Sequence, residues 1–281
     1  MAISNFIPTV WSENLYSQLD KKYIAAKHCN RDFEGDIAEQ GAVVNIIGVG
    51  SINVFDYNKD TNMSEPQVLS DSLRSLTIDQ AKAFNFQIDD IDRAQCTPKL
   101  MDEAMRVAAS ALANEADRYI FSLHEQAKEM VADAEVNETT VIDRIIEART
   151  LLYMNNVTDA SDIVIEVSPE IAALILKAKI DLCTDNTEAL ENGCIGSVGG
   201  CKIFVSNNIV TDVNGSITYH KCLVRTKRSI AFAEQLSEIV AYRPEKRFAD
   251  AVKGLHLYGA KVVYPEEMVS LNLGIMEEDD E

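Results

Sequence analysis

The feature that most constrains the fold is a run of alternating residues between Leu76 and Asp89. In this run, "LTIDQAKAFNFQID", one set of alternate positions is mostly apolar and the other is mostly polar. The alternation predicts a β-strand of about a dozen residues, roughly 40 Å long, whereas ordinary strands have about five or six residues. Gln80 and Lys82 interrupt the apolar side, so we expect that no single core buries the whole strand. The run therefore predicts a long, partly polar hairpin that needs a surface outside its own domain.

A long helix is predicted soon after this strand. From Pro98 onward the apolar residues recur every three or four positions, and Thr97 is a candidate N-cap. The pattern extends to about Asp133, which corresponds to roughly 50 Å at 1.5 Å per residue. Because an average helix has about three turns, we interpret this one as a spine of the fold.

The rest of the chain mixes helical and strand patterns. "SENLYSQLDKKYIAA", "TTVIDRIIEARTLLYMNN" and "PEIAALILKAKIDL" predict amphipathic helices, the last one beginning at Pro169. "DIVIEVS" predicts a buried strand, and strand patterns dominate from "CKIFVSN" to the acidic ending "MEEDDE". Together these patterns predict an α+β fold with an extended β-hairpin.

The net charge limits the partners that this chain can bind. With 45 acidic and 26 basic residues, the formal net charge is −19. Such a surface repels a phosphate backbone, so we expect no direct nucleic-acid binding. The charge would suit a wall that encloses nucleic acid without gripping it, and it would equally suit a surface that only confers solubility. No secretory signal and no membrane span are apparent, so we expect a soluble protein that remains where it is made.

Six cysteines are spread widely along the chain. They are Cys29, Cys96, Cys183, Cys194, Cys201 and Cys222. A secreted disulfide scaffold would be shorter and denser in cysteine, so we expect free, mostly buried thiols.

The glycine-rich stretch "GCIGSVGGCK" at residues 193–202 imitates a phosphate-binding loop. A Walker loop needs Gly-Lys followed by Ser or Thr, but Lys202 follows Cys201 and precedes Ile203. The glycine spacing also differs from the dinucleotide fingerprint, and a strand follows where both motifs need a helix. A nucleophile elbow fails because Ile195 stands where the first glycine is needed. We interpret the stretch as a turn that leads into a strand.

Candidate metal and catalytic residues are equally unconvincing. Cys194 and Cys201 have six residues between them, too many for a zinc knuckle, and "DYNKDTNMSEPQ" lacks both the glycine and the final glutamate of a calcium loop. His28, His124 and His256 stand apart, with no nucleophile nearby in the sequence. We therefore expect no enzyme activity, no bound metal and no cofactor.

The order of these elements resembles that of phage coat proteins. "FIPTVWSENLYSQLDKKYIAAKHCNRDFEGDI" resembles their N-terminal opening, and "LTIDQAKAFNFQIDDIDRAQ" followed by "KLMDEAMRVAASALANEADRYI" resembles an extended loop that passes into a spine helix. "GSVGGCKIFVSNNI", "SIAFAEQL" and "VKGLHLYGAKVVYPE" resemble a later turn and the closing strands. The chain is thus similar, in order and over nearly its whole length, to the major capsid proteins of tailed phages with the Hong Kong 97-type fold.

The resemblance implies a division of the chain into six parts. These are an N-terminal arm at 1–40, an extended β-hairpin loop at 41–90, a peripheral domain with the spine helix at 91–135, an axial domain at 136–235, the return strands of the peripheral domain at 236–273, and an acidic tail at 274–281. In this family the extended loop lies across a neighbouring subunit. The loop residues that we expect to contact a neighbour are Phe55, Tyr57, Lys59, Met63 and Glu65.

The resemblance also implies a structural function. The chain would assemble into hexamers and pentamers of an icosahedral shell that encloses double-stranded DNA without sequence-specific binding. Scaffold, portal and decoration proteins are the partners implied, no membrane is involved, and assembly would take place in the cytoplasm of a bacterial host. Some family members crosslink a loop lysine to an asparagine of a neighbour. Lys59 lies in the corresponding segment, but no partner asparagine is indicated, and we interpret it as an exposed loop charge.

Two alternative functions remain open at the level of sequence. The first is an encapsulin-type shell, which has the same fold and encloses a cargo enzyme. The second is a cytosolic α/β enzyme that binds a nucleotide. The N-terminal phrase favours the phage interpretation over the first, and the failed phosphate motifs argue against the second.

Overall fold

The structure is a computed structural model that describes residues 15, 18–33, 43–49, 71–89, 100–178, 194–245 and 249–276. Within these ranges the α-helices of the main body are α1 (Leu100–Ser122), α2 (Thr140–Met154) and α3 (Pro169–Lys177). Residues 15 and 18–22 are also helical. Short 3-10 turns are present at Ala26–His28, Leu123–Gln126, Ala160–Asp162 and Pro265–Glu267.

The described strands outnumber the helices. They are β1 (Val43–Val49), β2 (Asp71–Thr77), β3 (Gln80–Asp89), β4 (Glu129–Asp133), β5 (Ile163–Val167), β6 (Cys194–Val198), β7 (Cys201–Val205), β8 (Thr211–Asn214), β9 (Ile217–Thr226), β10 (Ile230–Tyr242), β11 (Ala249–Val262) and β12 (Met268–Met276). The predicted α+β class is confirmed. The finer division into arm, loop, peripheral and axial parts stays a prediction.

The largest sheet has the strand order β4-β12-β9-β5-β7-β6, with β8 paired to β9. β4 runs parallel to β12, and β5 runs parallel to β7, whereas the other pairs are antiparallel. Every residue of β5 is buried, as the apolar run "IVIEV" predicts for a strand that is covered on both faces. The sheet is therefore the centre of the main core.

Helices α2 and α3 form where the sequence predicts them. Ser168 caps α3, its hydroxyl accepting a hydrogen bond from the Ile171 amide at 3.3 Å, and Pro169 occupies the first turn. The buried side of α2 is the stripe Val141, Ile145, Ala148 and Leu152, spaced for one helical face. Both helices bury these apolar stripes in the main core.

The long alternating strand is divided into two by the structure. β2 ends at Thr77 and pairs with β1, whereas β3 begins at Gln80 and pairs with β11 in a second sheet of order β10-β11-β3. On β3, Lys82 forms an ion pair with Glu115 of α1 at 3.2 Å, and Phe84 packs against the main core. Every residue of β3 remains at least partly exposed, so the prediction that this half needs a surface outside its own domain stays a prediction. The polar interruption is accommodated by a charge on the facing helix.

The predicted length of the spine helix is also wrong at its C-terminal end. α1 stops at Ser122, 23 residues from its start, and a 3-10 turn leads into β4 instead. The residues from Glu129 to Asp133 carry an apolar pattern that suits either structure. They form a strand because β12 offers a parallel edge, and this pairing outweighs helix propensity.

Gly259 allows the β1–β2 sheet to lie close to the β10-β11-β3 sheet. The β2–β3 connection crosses β11 at this residue, and a Cβ atom here would lie closer to the Thr77 carbonyl oxygen than van der Waals contact allows. Beside the crossing, Leu76 and Ile78 are buried with Val44, Ala231 and other residues in a second, smaller core. A side chain at 259 would therefore push the base of the β1–β2 hairpin away from the sheet.

We expect Gly259→Ala to lower the free energy of unfolding by about 1–3 kcal/mol, because the added methyl group meets backbone atoms that cannot rotate away. Urea titration of the dissociated subunit measures the loss. Lys261→Ala, an exposed position two residues further along β11, is the control and should change stability by less than about 0.5 kcal/mol. Equal stability of the two variants would contradict the close approach.

Candidate functional site

The most concentrated polar site in the described chain surrounds an N-terminal segment, residues 23–31. This segment crosses one face of the large sheet, where Ile24 packs on Val164 and Phe204. The His28 ring lies against the Phe204 ring at an interplanar angle of 48°, with a centroid distance of 4.2 Å. Further along, Asn30 forms a parallel bridge with Ala231 of β10. One short segment thus contacts both sheets.

Arg225 and Glu166 form the centre of this site. The guanidinium donates to both carboxylate oxygens, Nε at 2.9 Å and Nη2 at 2.8 Å, and both side chains are fully buried. Arg225 also donates to the backbone oxygens of His28 at 2.7 Å and Ala25 at 3.0 Å. Burial raises the pKa of Glu166. Burial opposes the charge of Arg225, but the neighbouring carboxylate outweighs it and raises the arginine pKa.

Asp117 holds the segment from the side of α1. Its carboxylate accepts hydrogen bonds from three consecutive backbone amides, those of Ile24 at 3.0 Å, Ala25 at 3.1 Å and Ala26 at 3.0 Å. Burial raises the pKa of Asp117 to about 7, although the three donors act in the opposite direction. A carboxyl of this kind can gain or lose its proton near neutral pH.

Glu234 of β10 holds the end of the segment. It accepts hydrogen bonds from the Tyr23 hydroxyl and from Arg31, and its Oε2 lies 2.9 Å from His256 Nε2. Burial acts to raise the pKa of Glu234, but His256, Tyr23 and Arg31 outweigh burial and lower it. The carboxylate is therefore kept charged by its partners.

The arrangement anchors the backbone and offers little for catalysis. Asp117 and Glu234 bind the segment through its backbone amides and two of its side chains. Arg225, which Glu166 holds in place, binds two of its carbonyls. The nearby thiol of Cys29 is not a nucleophile, because burial raises its pKa to about 11 and keeps it protonated. Burial similarly raises the pKa of Cys222 to about 12.

The thiols, histidines and carboxylates do not assemble a metal site in the described ranges. No group of three or more His, Cys, Asp or Glu side chains there could hold a metal ion. Cys29, Cys201 and Cys222 are free and buried, as the sequence predicts for these three. His28 is buried, and burial together with nearby cations lowers its pKa to about 3.

The glycine-rich stretch is a two-residue turn, as predicted. β6 and β7 form an antiparallel hairpin, and Gly199 and Gly200 connect them with φ angles of 57° and 88°. Glycine adopts such positive φ angles at the least steric cost because it has no Cβ atom. Because a strand follows the turn, no helix N-terminus is aimed at a phosphate, and the nucleotide-binding interpretation loses its only motif.

Several predicted residues lie outside the described ranges. The expected contact residues of the extended loop, Phe55, Tyr57, Lys59, Met63 and Glu65, are among them, and so are the helix-capping pair Thr97 and Pro98 and the calcium-like pattern at 56–67. Their roles stay predictions.

Sequence reasoning missed the buried network altogether. Its signal was a charge within an otherwise apolar strand, which applies to Glu166 in "IVIEV" and to Arg225 in "CLVRT". A fully buried charge needs a partner of opposite sign, so these two residues could have been paired. Asp117 and Glu234 gave no comparable signal, because amphipathic elements carry many carboxylates.

Known structures resemble this fold closely. A structure from Mycobacterium phage Che8 matches with a TM-score of 0.68 and 27% identity, over 89% of this chain and 90% of that one. The capsid of cyanophage P-SCSP1u matches with a TM-score of 0.67 and 14% identity, over 90% and 88% of the two chains. The capsid of Ralstonia phage GP4 matches with a TM-score of 0.63 and 10% identity, over 90% and 87%. The chain is therefore similar in fold, over about nine-tenths of its length, to capsid structures of tailed phages.

Other comparisons add two facts about this protein. No family model matches its sequence, and no curated protein matches it either. No helix in the described ranges is long and apolar enough to span a membrane. In this fold, the buried network holds the N-terminal segment against the two sheets and α1.

We expect Arg225→Met to lower the free energy of unfolding by about 3–5 kcal/mol, because it leaves Glu166 charged and buried without a partner. The double variant Arg225→Met with Glu166→Leu should recover most of this loss. Urea titrations of the dissociated subunits measure both. A double variant less stable than the single one would contradict the pairing as the source of the loss.

We expect Asp117 to make stability depend on pH. Its pKa is raised from an ordinary 3.8 to about 7, so its contribution is fully present below pH 3.8 and is lost as pH rises through about 7. The lowered pKa of His28 makes stability rise with pH over part of the same pH range. The pH dependence of wild-type stability therefore does not isolate the contribution of Asp117. The stability of the wild type minus that of Asp117→Asn should therefore fall between pH 4 and pH 8 in urea titrations. A difference that rises with pH would contradict the assignment.

Proposed function

We propose that this protein is the head subunit of a tailed phage or prophage, which self-assembles into hexamers and pentamers of an icosahedral shell around double-stranded DNA. The observation that carries the proposal is the match to the Mycobacterium phage Che8 structure, which extends over about nine-tenths of both chains. The function is structural, and the protein is not an enzyme.

The physical features of the fold support a structural function. The buried charged groups described above anchor an N-terminal segment, and the glycine-rich stretch is a turn between two strands. The net charge of −19 suits a wall that encloses DNA and lets it leave, because like charges prevent tight adhesion. Scaffold, portal and decoration proteins are the further partners that we propose, with assembly in the cytoplasm of the bacterial host and residence in the virion.

An encapsulin-type compartment is the second candidate. A virus-like particle from Pyrococcus furiosus matches with a TM-score of 0.55 and 11% identity, over 94% of this chain and 99% of that one. The fold alone therefore admits both kinds of shell. They differ in content, since a phage head encloses DNA and an encapsulin encloses a cargo enzyme.

Negative-stain electron microscopy with light scattering on the purified protein, with and without co-expressed scaffold, tests the proposal. Closed shells, or rings of five and six, are the expected result. Small uniform shells that contain a co-purified enzyme would favour the encapsulin alternative. A small oligomer that binds nucleotide and never assembles, even with scaffold, would overturn both shell functions.

We expect deletion of residues 58–67, the centre of the predicted extended loop, to leave a folded subunit that assembles poorly. The reason is that the loop would lie across a neighbour and contribute contact area there. Circular dichroism checks folding, and electron microscopy counts shells. A variant that replaces the same residues with a Gly/Ser segment of equal length separates loop length from side-chain contacts. Normal shell formation by the deletion variant would contradict the assignment of these residues to a loop that contacts a neighbouring subunit.

A further inference from the structure

The junction between β2 and β3 is the place where the long alternating run changes its partners. β2 pairs with β1, β3 pairs with β11, and Ile78 and Asp79 are the residues between the two strands. The β1–β2 hairpin is therefore connected to β3 through two residues. The direction in which the hairpin leaves the body of the protein depends on the contacts that hold this junction.

Apolar packing fixes the place of the junction. Leu76 and Ile78 are fully buried in the smaller core, together with Val44 and Ile46 of β1. Gly259 lets the chain pass close to β11 at the same point. Apolar contacts are not directional, so they determine where the junction lies better than they determine the angle at which the hairpin leaves it.

Directional contacts reach the junction from α1. The Tyr119 hydroxyl lies 3.0 Å from Oδ1 and 3.2 Å from Oδ2 of Asp79, to which it donates, and Tyr119 also has a side-chain hydrogen bond with Gln80. One helical turn earlier, Glu115 forms an ion pair with Lys82 at 3.2 Å. Gln80 and Lys82 are the residues that interrupt the apolar side of the alternating run. The interruption therefore meets a polar turn of the spine helix.

The position of Tyr119 is itself fixed by packing. Its ring lies edge to face against the buried Tyr258 ring, with a centroid distance of 5.8 Å, and it packs on the main core. Burial, together with the bond to Asp79, raises the pKa of Tyr119 to about 12, so the hydroxyl remains a donor throughout the neutral pH range. Hydrogen bonds weaken steeply when the donor and acceptor are misaligned, so a donor in a fixed position constrains the Asp79 carboxylate.

We propose that Tyr119 is a positioning residue for the β1–β2 hairpin, because its bond to Asp79 sets the angle at which the hairpin leaves the body. The proposal rests on the proposed shell function, in which the extended loop lies across a neighbouring subunit. β2 spans 7 residues from Asp71 to Thr77, so its far end lies about 20 Å from the junction. A rotation of about 15° would move this end by roughly 5 Å, which is more than a hydrogen bond or an apolar contact to a neighbour can span.

Tyr242 offers a matched control on the same strand. Its hydroxyl donates to Asn85 Oδ1 of β3 at 3.1 Å, away from the junction. Tyr119→Phe and Tyr242→Phe each remove one hydroxyl from a partly exposed tyrosine, so both variants should keep the wild-type circular dichroism and lose similarly little stability in urea. Only Tyr119→Phe should change the direction of the hairpin.

Pulsed electron paramagnetic resonance on the dissociated full chain measures this direction. A genetically encoded keto amino acid replaces Asp71 at the far end of β2 and the exposed Ala111 of α1, and it carries the spin labels without modifying the cysteines. The wild type and Tyr242→Phe should give the same narrow distance distribution. Tyr119→Phe and Asp79→Ala should shift or broaden it by about 5 Å or more, whereas Asp79→Asn, which keeps an acceptor oxygen, should retain the wild-type distribution.

The assembled fraction gives a second measurement. A hairpin that points in several directions is competent to contact a neighbour for only part of the time, and the apparent affinity between subunits falls by that fraction. Under conditions in which the wild type forms shells, Tyr119→Phe should therefore lower the assembled fraction by about threefold to tenfold. Tyr242→Phe and Asp79→Asn should assemble as the wild type does. Sedimentation and electron microscopy measure the fraction.

Several results would overturn the proposal. Equal distance distributions for Tyr119→Phe and the wild type would show that the angle is fixed without this bond. An equal change in Tyr242→Phe would assign the effect to lost stability, and an Asp79→Asn variant that behaves like Asp79→Ala would exclude the hydrogen bond as the cause. Normal assembly of Tyr119→Phe would separate the angle from shell formation. A wild type that never assembles would instead overturn the proposed shell function, whereas the distances in the dissociated chain would still decide the role of Tyr119.

Discussion

The fully buried bond between Arg225 and Glu166 is the interaction on which the rest of this structure depends. It joins β9 to β5 in the centre of the large sheet, and the remaining donors of the same guanidinium bind the carbonyls of His28 and Ala25. Two charges in a low-dielectric interior are tolerated only when each has its partners, so the pair is incomplete without the N-terminal segment. The sheet and the segment therefore stabilise each other.

Two further carboxylates extend this dependence across the molecule. Asp117 ties the segment to α1, and Glu234 ties it to the second sheet. Because the segment is bound mainly through its backbone, its path does not rely on particular side chains at most positions. The result is a fold in which the large sheet, the β10-β11-β3 sheet and α1 are held together by one short segment that contains a 3-10 turn.

Much of the fold could be predicted from local patterns. The helices at 140–154 and 169–177, the strand at 163–167 and the glycine turn at 199–200 all follow from periodicity, capping and turn chemistry. The errors occurred where a pattern fits two structures. The run from Leu76 to Asp89 alternates throughout, yet the chain breaks at Ile78 and Asp79 because its two halves pair with different strands. The predicted end of the spine helix was wrong because Glu129–Asp133 forms a strand that pairs with β12.

The sequence by itself determined the fold class, the order of most elements and the resemblance to phage capsid proteins, because these depend on residues close together along the chain. Only the tertiary structure decided which charges are buried, which strands are partners and where the N-terminal segment lies. Glu166 and Arg225 are 59 positions apart, and Arg225 and Ala25 are 200 apart. No local pattern encodes such distances. These long-range pairings depend on how the helices and strands pack, and the local preferences of those elements are compatible with several packings. The requirement that every buried charge has a partner selects one packing.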